Sequence, residues 1–220
     1  MLPSLRAQTD QDFSLWILTS RDLPAPWMQR LQDLCAGTPQ IRIILSDATD
    51  VEAALQQPLR AAAAANGRPV LQFKVDDDDA LGRHFIARLR REAARFDDMA
   101  AVAISFPRGL IIRRYDHEPT SYWSLYSSFI GAGAAVRLAE PEKSIFAFRH
   151  RLIPQHLTAF SSTEGLNYVI LRWHAGDTAT EQKDNWFNNA AELTPDAFVE
   201  LAEDDFGFLL DQDLGFLTDP

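Results

Sequence analysis

Cysteine is almost absent: Cys35 is the only one in 220 residues. An intrachain disulfide is therefore excluded, and a reducing cytoplasm is the expected compartment. With no activating motif around it, Cys35 reads as a small buried hydrophobe. Long apolar runs are absent as well. No stretch approaches the roughly 20 apolar residues that span a bilayer, so no transmembrane segment is expected. The start, Met1-Leu2-Pro3-Ser4-Leu5-Arg6, lacks the basic and apolar regions of a signal peptide. Basic residues are missing from the end of the chain. No Lys or Arg follows Lys183, and the ten acidic residues beyond it equal the whole formal charge of -10. Residues 1–183 therefore sum to zero. An acidic end repels phosphate backbones, so nucleic acid is not an expected partner. Phe198, Leu201, Phe206, Phe208, Leu209, Leu210 and Phe216 punctuate that end. They predict that segment 184–220 docks on a body formed by 1–183.

What is present is an alternation of strand and helix patterns. Residues 3–9 read as the end of a helix, and Phe13 to Leu18 as a buried strand. Pro26 to Ala36 fits a helix with Trp27, Leu31, Leu34 and Cys35 on one face, stopped by Gly37. Ile41 to Leu45 is a second strand, and Asp50 to Ala65 a helix closed by Asn66-Gly67. Val70 to Val75 is a third strand, and Ala80 to Phe96 a helix with Leu81, Phe85, Ile86, Leu89 and Ala93 at helical spacing. Ala100 to Phe106 and Leu110 to Ile112 suggest a hairpin around Pro107-Arg108-Gly109, and Tyr168 to Trp173 a further strand. Thr194-Pro195 opens a last helix, with Thr as N-cap and Pro at the first helical position. The fold class is α/β, with a mixed, mostly parallel sheet flanked by helices.

Four consecutive aspartates, Asp76 to Asp79, follow the third strand. Ligands of open α/β sheets bind beyond the carboxyl ends of the strands. Adjacent carboxylates repel unless a cation or donors share their charge. Mg²⁺ is usually held by one or two carboxylates, waters and substrate phosphates. Alternation in an extended segment puts Asp76 and Asp78 on one side, with Asp79 divided between ligand and helix cap. Capping alone asks for one or two aspartates; four exceed that need.

Met1 to Phe13, the strand Leu15-Trp16-Ile17-Leu18, and Phe73-Lys74-Val75-Asp76-Asp77-Asp78-Asp79-Ala80-Leu81 together resemble the putative rhamnosyltransferase family, over roughly residues 2–180. Ser4-Leu5-x-x-Gln8 and the aspartate run carry the resemblance most specifically. It implies a GT-A-like glycosyltransferase fold. It also implies an Asp-x-Asp signature for Mg²⁺ or Mn²⁺ and the diphosphate of a nucleotide-sugar donor. Asp76 and Asp78 match that signature, Asp77 fills its variable position, and Asp79 matches the acidic residue after it. A late histidine can add a metal ligand in such enzymes, which singles out His150 and His174. Asp47, at the end of the second strand, is a candidate for the nucleotide base or ribose, and Asp22 shares that reading. The resemblance implies an acceptor that is a hydroxyl of a glycan or another molecule. GT-A domains open with a strand before the Ser-Leu-x-x-Gln helix, and this sequence opens on the helix. Either the true start lies upstream or part of the donor site has been lost, and the expected fold of these residues lacks the first strand. An exposed edge would suit pairing with another chain, and a homo-oligomer is among the expected partners.

No catalytic base stands out. Glu164 and Asp177 sit in plausible loops, and ordinary surface roles fit them better. Arg149, Arg151, Arg113 and Arg114 suit phosphate, and also suit solvent. Two readings follow: a metal-dependent glycosyltransferase, or a non-catalytic or truncated GT-A-like binding module. A hydrolase with an aspartate nucleophile ranks below both, because Ala80-Leu81 follows where small hydroxyl residues are usual.

Overall fold

The computed structural model describes residues 1–116, 118–173 and 189–210. In chain order the helices and strands are α1 (Leu2–Arg6), β1 (Leu15–Ser20), α2 (Ala25–Cys35), β2 (Ile41–Ser46), α3 (Val51–Asn66), β3 (Leu71–Phe73), β4 (Ala80–Leu81), α4 (Phe85–Ala94), β5 (Val102–Ser105), β6 (Arg108–Arg114), β7 (Ser121–Tyr126), β8 (Ala134–Arg137), α5 (Ile153–His156), β9 (Ala159–Ser161), β10 (Tyr168–Trp173), β11 (Ala190–Leu193) and α6 (Pro195–Leu210). The α/β class holds. The mostly parallel sheet does not. Among the described residues there are three sheets, ordered β1-β2, β11-β7-β6-β10-β4 and β3-β8-β5-β9. Only β1–β2, β6–β10 and β5–β9 run parallel; the other five pairings are antiparallel. Parallel neighbours need long crossovers. From α4 to β10 the described chain offers no helix longer than the four residues of α5, so short links make antiparallel neighbours.

Local chemistry sets the helix ends. Asp50 Oδ1 accepts the Glu52 N–H at 3.1 Å, capping α3, and Gly67 closes it at φ 68°. Thr194 Oγ1 accepts the Ala197 N–H at 3.2 Å and caps α6. Three expectations fail. Residues 80–84 are not helical, because Ala80 and Leu81 pair with Val169 and Tyr168 of β10 before α4 begins. β5 and β6 are not a hairpin. The chain passes from one sheet to the next at the buried Phe106, and the Pro107 carbonyl is held by the Tyr168 hydroxyl and the Ser127 N–H. Finally, α2 buries none of its residues, and Trp27 is exposed. Its apolar face lies at the surface, and Cys35 is only half-buried.

Two-residue periodicity positions the core. On β6, Ile111 faces α4 together with Phe85, Leu89 and Tyr168, while Leu110 and Ile112 face Phe198, Ala202 and Phe206 of α6. The five-stranded sheet is thus covered on both faces. Phe85 bridges the sheets, with edge contacts to Phe73 at 5.3 Å and Phe106 at 5.6 Å. Burying Phe198 and Phe206 contributes roughly 1.5–3 kcal/mol each, which accounts for an acidic helix staying on the body. Among the described residues no helix is long and apolar enough to cross a membrane.

Candidate functional site

β3 ends at Phe73, and the aspartates form a turn, not a helix start. The Asp79 N–H donates to the Asp76 carbonyl at 3.2 Å, with Asp77 and Asp78 between them. Asp76 and Asp77 are exposed, Asp78 is half-buried and Asp79 is buried. The reading of Asp79 as a helix cap is corrected, since α4 begins at Phe85 with His84 in the N-cap position. The turn also replaces the extended alternation from which Asp76 and Asp78 were expected to share a side.

Asp79 looks inward. Its carboxylate accepts a backbone hydrogen bond from Leu171 on β10. Burial pushes its pKa up to about 7, and the charges of Asp76 and Asp78 push the same way. Arg172 and the Leu171 bond oppose them. The Met1 end of α1 is in charge range of Asp77, Asp78 and Asp79.

The Ser4-Leu5-x-x-Gln8 motif is a key that fixes α1 beside this turn. Ser4 Oγ accepts the Leu81 N–H at 3.1 Å, and Leu5 is fully buried. Gln8 Nε2 donates to the carbonyls of Ser4 and Gly82, both at 2.9 Å, while Gln8 Oε1 accepts the Ile86 N–H at 3.0 Å. All three side chains are buried. The motif therefore does structural work within two residues of Asp79.

The other wall comes from β3 and the segments around β8. Lys74 Nζ lies 3.9 Å from Asp76 Oδ1. A Cβ at Gly131 would stand 3.6 Å from Lys74 Nζ and 3.8 Å from Asp76 Oδ2, so the bare glycine faces both groups. Just before it, Phe129 holds φ 53°, a conformation costly for a bulky residue, and its N–H donates to the buried Ser105 Oγ at 2.7 Å. His150 reaches the same region. Its pKa is lowered by burial first and then by the charges of Lys74 and Arg151, with Asp76 opposing. Its Nε2 is buried with no hydrogen-bond partner. A neutral imidazole is the form that accepts a proton or ligates a cation.

The structure thus puts Asp76, Asp77, Asp78 and Asp79 on one turn with Lys74 beside Asp76, and His150 in charge range of Lys74 and Asp76. Lys74 was missed because a lone lysine after a strand carries no pattern; its meaning comes from Asp76 and Gly131. Asp47 is elsewhere engaged, in an exposed ion pair with Arg21 at 3.3 Å at the ends of β2 and β1. Glu164 is tied to Arg91 and lies 4.0 Å from Arg88. Arg113 meets Glu118 at 3.5 Å. His174 and Asp177 lie outside the described residues. A cleft of about 370 Å³ between β1, β2 and α3, lined by Trp16, Arg42, Pro58 and Ala62, includes none of the aspartates.

Among the described residues no three His, Cys, Asp or Glu side chains converge as a preformed metal cage. The hard oxygen donors of this exposed turn are of the kind that can bind Mg²⁺ or Mn²⁺. No curated protein matches the chain. The family described as "Putative rhamnosyl transferase" matches residues 1–185, which include the α1 key, the aspartate turn and His150, and the chain belongs to that family.

Proposed function

We propose that the chain is a metal-dependent glycosyltransferase of GT-A-like fold. It would move a sugar, a rhamnosyl group by the family's description, from a nucleotide-diphosphate donor to a hydroxyl of a glycan or other acceptor. The observation that carries this reading is the Asp76–Asp79 turn after β3, in a member of that family, with Lys74 beside Asp76 and with His150, its Nε2 buried without a partner, in charge range of both.

Asp76 and Asp78 would hold Mg²⁺ or Mn²⁺ with the donor diphosphate, and Asp77 and Asp79 border the same site. A cation held there would supply charge to stabilise a departing diphosphate. Lys74 offers an ammonium to the same phosphate oxygens. Asp79 is placed to orient the turn from beneath, through its bond to Leu171. His150 is suited to complete the cation's shell or to accept the acceptor hydroxyl's proton. A single-cysteine chain using a nucleotide sugar suits the cytoplasm.

A second reading is a GT-A-like binding module. The absence of a three-ligand cage among the described residues favours it, as does the engagement of Glu164 by arginine. Titration calorimetry with Mn²⁺ and a panel of nucleotide sugars separates the two. Metal-dependent binding and donor hydrolysis, both lost in Asp78→Ala, support the transferase. Absence of both from the wild type overturns it.

A further inference from the structure

We propose that Phe146 is a stacking platform for a pyranose ring at the mouth of the aspartate site; this rests on the glycosyl-transfer reading above. Phe146 is one of several exposed large hydrophobic residues, and single exposed side chains need no explanation of their own. Its setting distinguishes it. The short 3₁₀ turn Ile145–Ala147 that carries it is held from three directions. Gln72 of β3 accepts the Ile145 N–H at 3.0 Å and donates to the Lys143 carbonyl at 3.0 Å. Glu52 of α3 accepts the Ser144 N–H at 3.0 Å and also the Ser144 hydroxyl. Ser144 Oγ in turn accepts the Phe146 N–H at 3.2 Å. Ile145, the residue before it, is buried. An apolar ring at 47% exposure is therefore fixed in place, not left on a loose loop.

The ring is also tied to the site by one side chain. Lys74 Nζ lies 5.8 Å from the Phe146 centroid and 3.9 Å from Asp76 Oδ1. The ammonium lies over one face of the ring, and the part of the ring left exposed offers the same electron-rich surface to a positively polarised partner. The C–H face of a pyranose presents that polarity, with hydroxyls at its rim to meet Lys74 and Asp76. Gly131 leaves room beside Lys74. Trp27 and Tyr126 are more exposed than Phe146 and lie on α2 and β7; Phe146 is the ring that Lys74 joins to Asp76.

The sugar on this ring is either that of the donor or that of the acceptor, and saturation-transfer NMR distinguishes them. Methyl α-rhamnoside and methyl α-glucoside alone probe an acceptor ring. UDP-glucose with Mn²⁺ probes a donor ring. Saturation of C–H protons on one sugar face in the wild type is expected. It should be lost in Phe146→Ala and kept in Phe146→Tyr, with Mn²⁺–UDP binding unchanged in both. Equal saturation in Phe146→Ala overturns the platform, and so does Mn²⁺–UDP binding in a wild type that saturates none of these sugars. Saturation that depends on Phe146 without any Mn²⁺–UDP binding supports the platform and overturns the transferase reading instead.

Discussion

Arg88 Nη1 lies 2.7 Å from Asp205 Oδ1, and both side chains are almost wholly buried. Asp205 Oδ2 also accepts the Leu166 N–H at 2.9 Å, and its carbonyl accepts the Arg83 N–H at 2.8 Å. Arg88 donates to the Leu166 carbonyl at 3.2 Å. One ion pair thus joins α6, α4 and the segment entering β10. Removing one partner leaves the other charge buried and uncompensated. Asp205→Ala is expected to lower stability by about 3–5 kcal/mol, read as a reduced urea midpoint. An unchanged midpoint would mean that α6 is held by its phenylalanines alone.

Gln8 makes three buried hydrogen bonds, and Gln8→Ala strands the Ile86 N–H and leaves the Gly82 carbonyl with the Phe85 N–H alone. A stranded group costs about 1–3 kcal/mol. Gln8→Glu should cost nearly as much, since a carboxylate cannot donate to Ser4 or Gly82. Thermal denaturation of both variants tests this; near-wild-type melting of either refutes the key.

Three glycines should respond differently to alanine. A Cβ at Gly109 would fall 2.1 Å from the Tyr168 ring, and at Gly133 2.7 Å from the Phe106 carbonyl oxygen. Both sites are packed by groups that cannot yield, so each substitution should cost about 1–3 kcal/mol or more. At Gly131 the nearest atoms are 3.6 Å away, on the flexible end of Lys74. Gly131→Ala should fold as the wild type and weaken Mn²⁺–nucleotide binding. Melting temperatures and calorimetry on the three variants decide it.

Asp79 has a pKa near 7 in the folded chain, against 3.8 for the free group. Between those values the folded state keeps a proton that the unfolded state has released. Stability should therefore fall as pH rises from about 4 to 7, then level off. Asp79→Asn removes this dependence and should be the more stable protein at pH 8, by up to roughly 4 kcal/mol. Urea unfolding of both proteins across this range tests the sign; a slope shared by Asp79→Asn assigns it to other groups.

Much of the frame was legible in the sequence because its signals are local. The Gly67 stop and the Thr194 cap each need only their own neighbours. What was hidden is long-range. Ala80 and Leu81 continue the helical period of α4, yet β10 takes them as a strand. The direction of Asp79, the tie between Lys74 and Asp76, and the approach of His150 depend on contacts from β10, β8 and the segment beyond it. Neither composition nor spacing records these. The aspartate run announced a site; its division into an exposed rim and one buried carboxyl came from the turn.

β1 and β2 pair only with each other among the described residues, and neither contributes a fully buried side chain. Segments with so few buried contacts open at a free energy well below that of global unfolding. Amide hydrogens in this pair should exchange long before those of β6 and β10. Asp47 and Arg21 ride on this yielding unit, whereas the aspartate turn is keyed to the rigid core by Asp79. A ligand spanning both would have to quiet the β1–β2 unit before gaining from it, so its affinity would carry an ordering cost that a smaller ligand at the turn avoids.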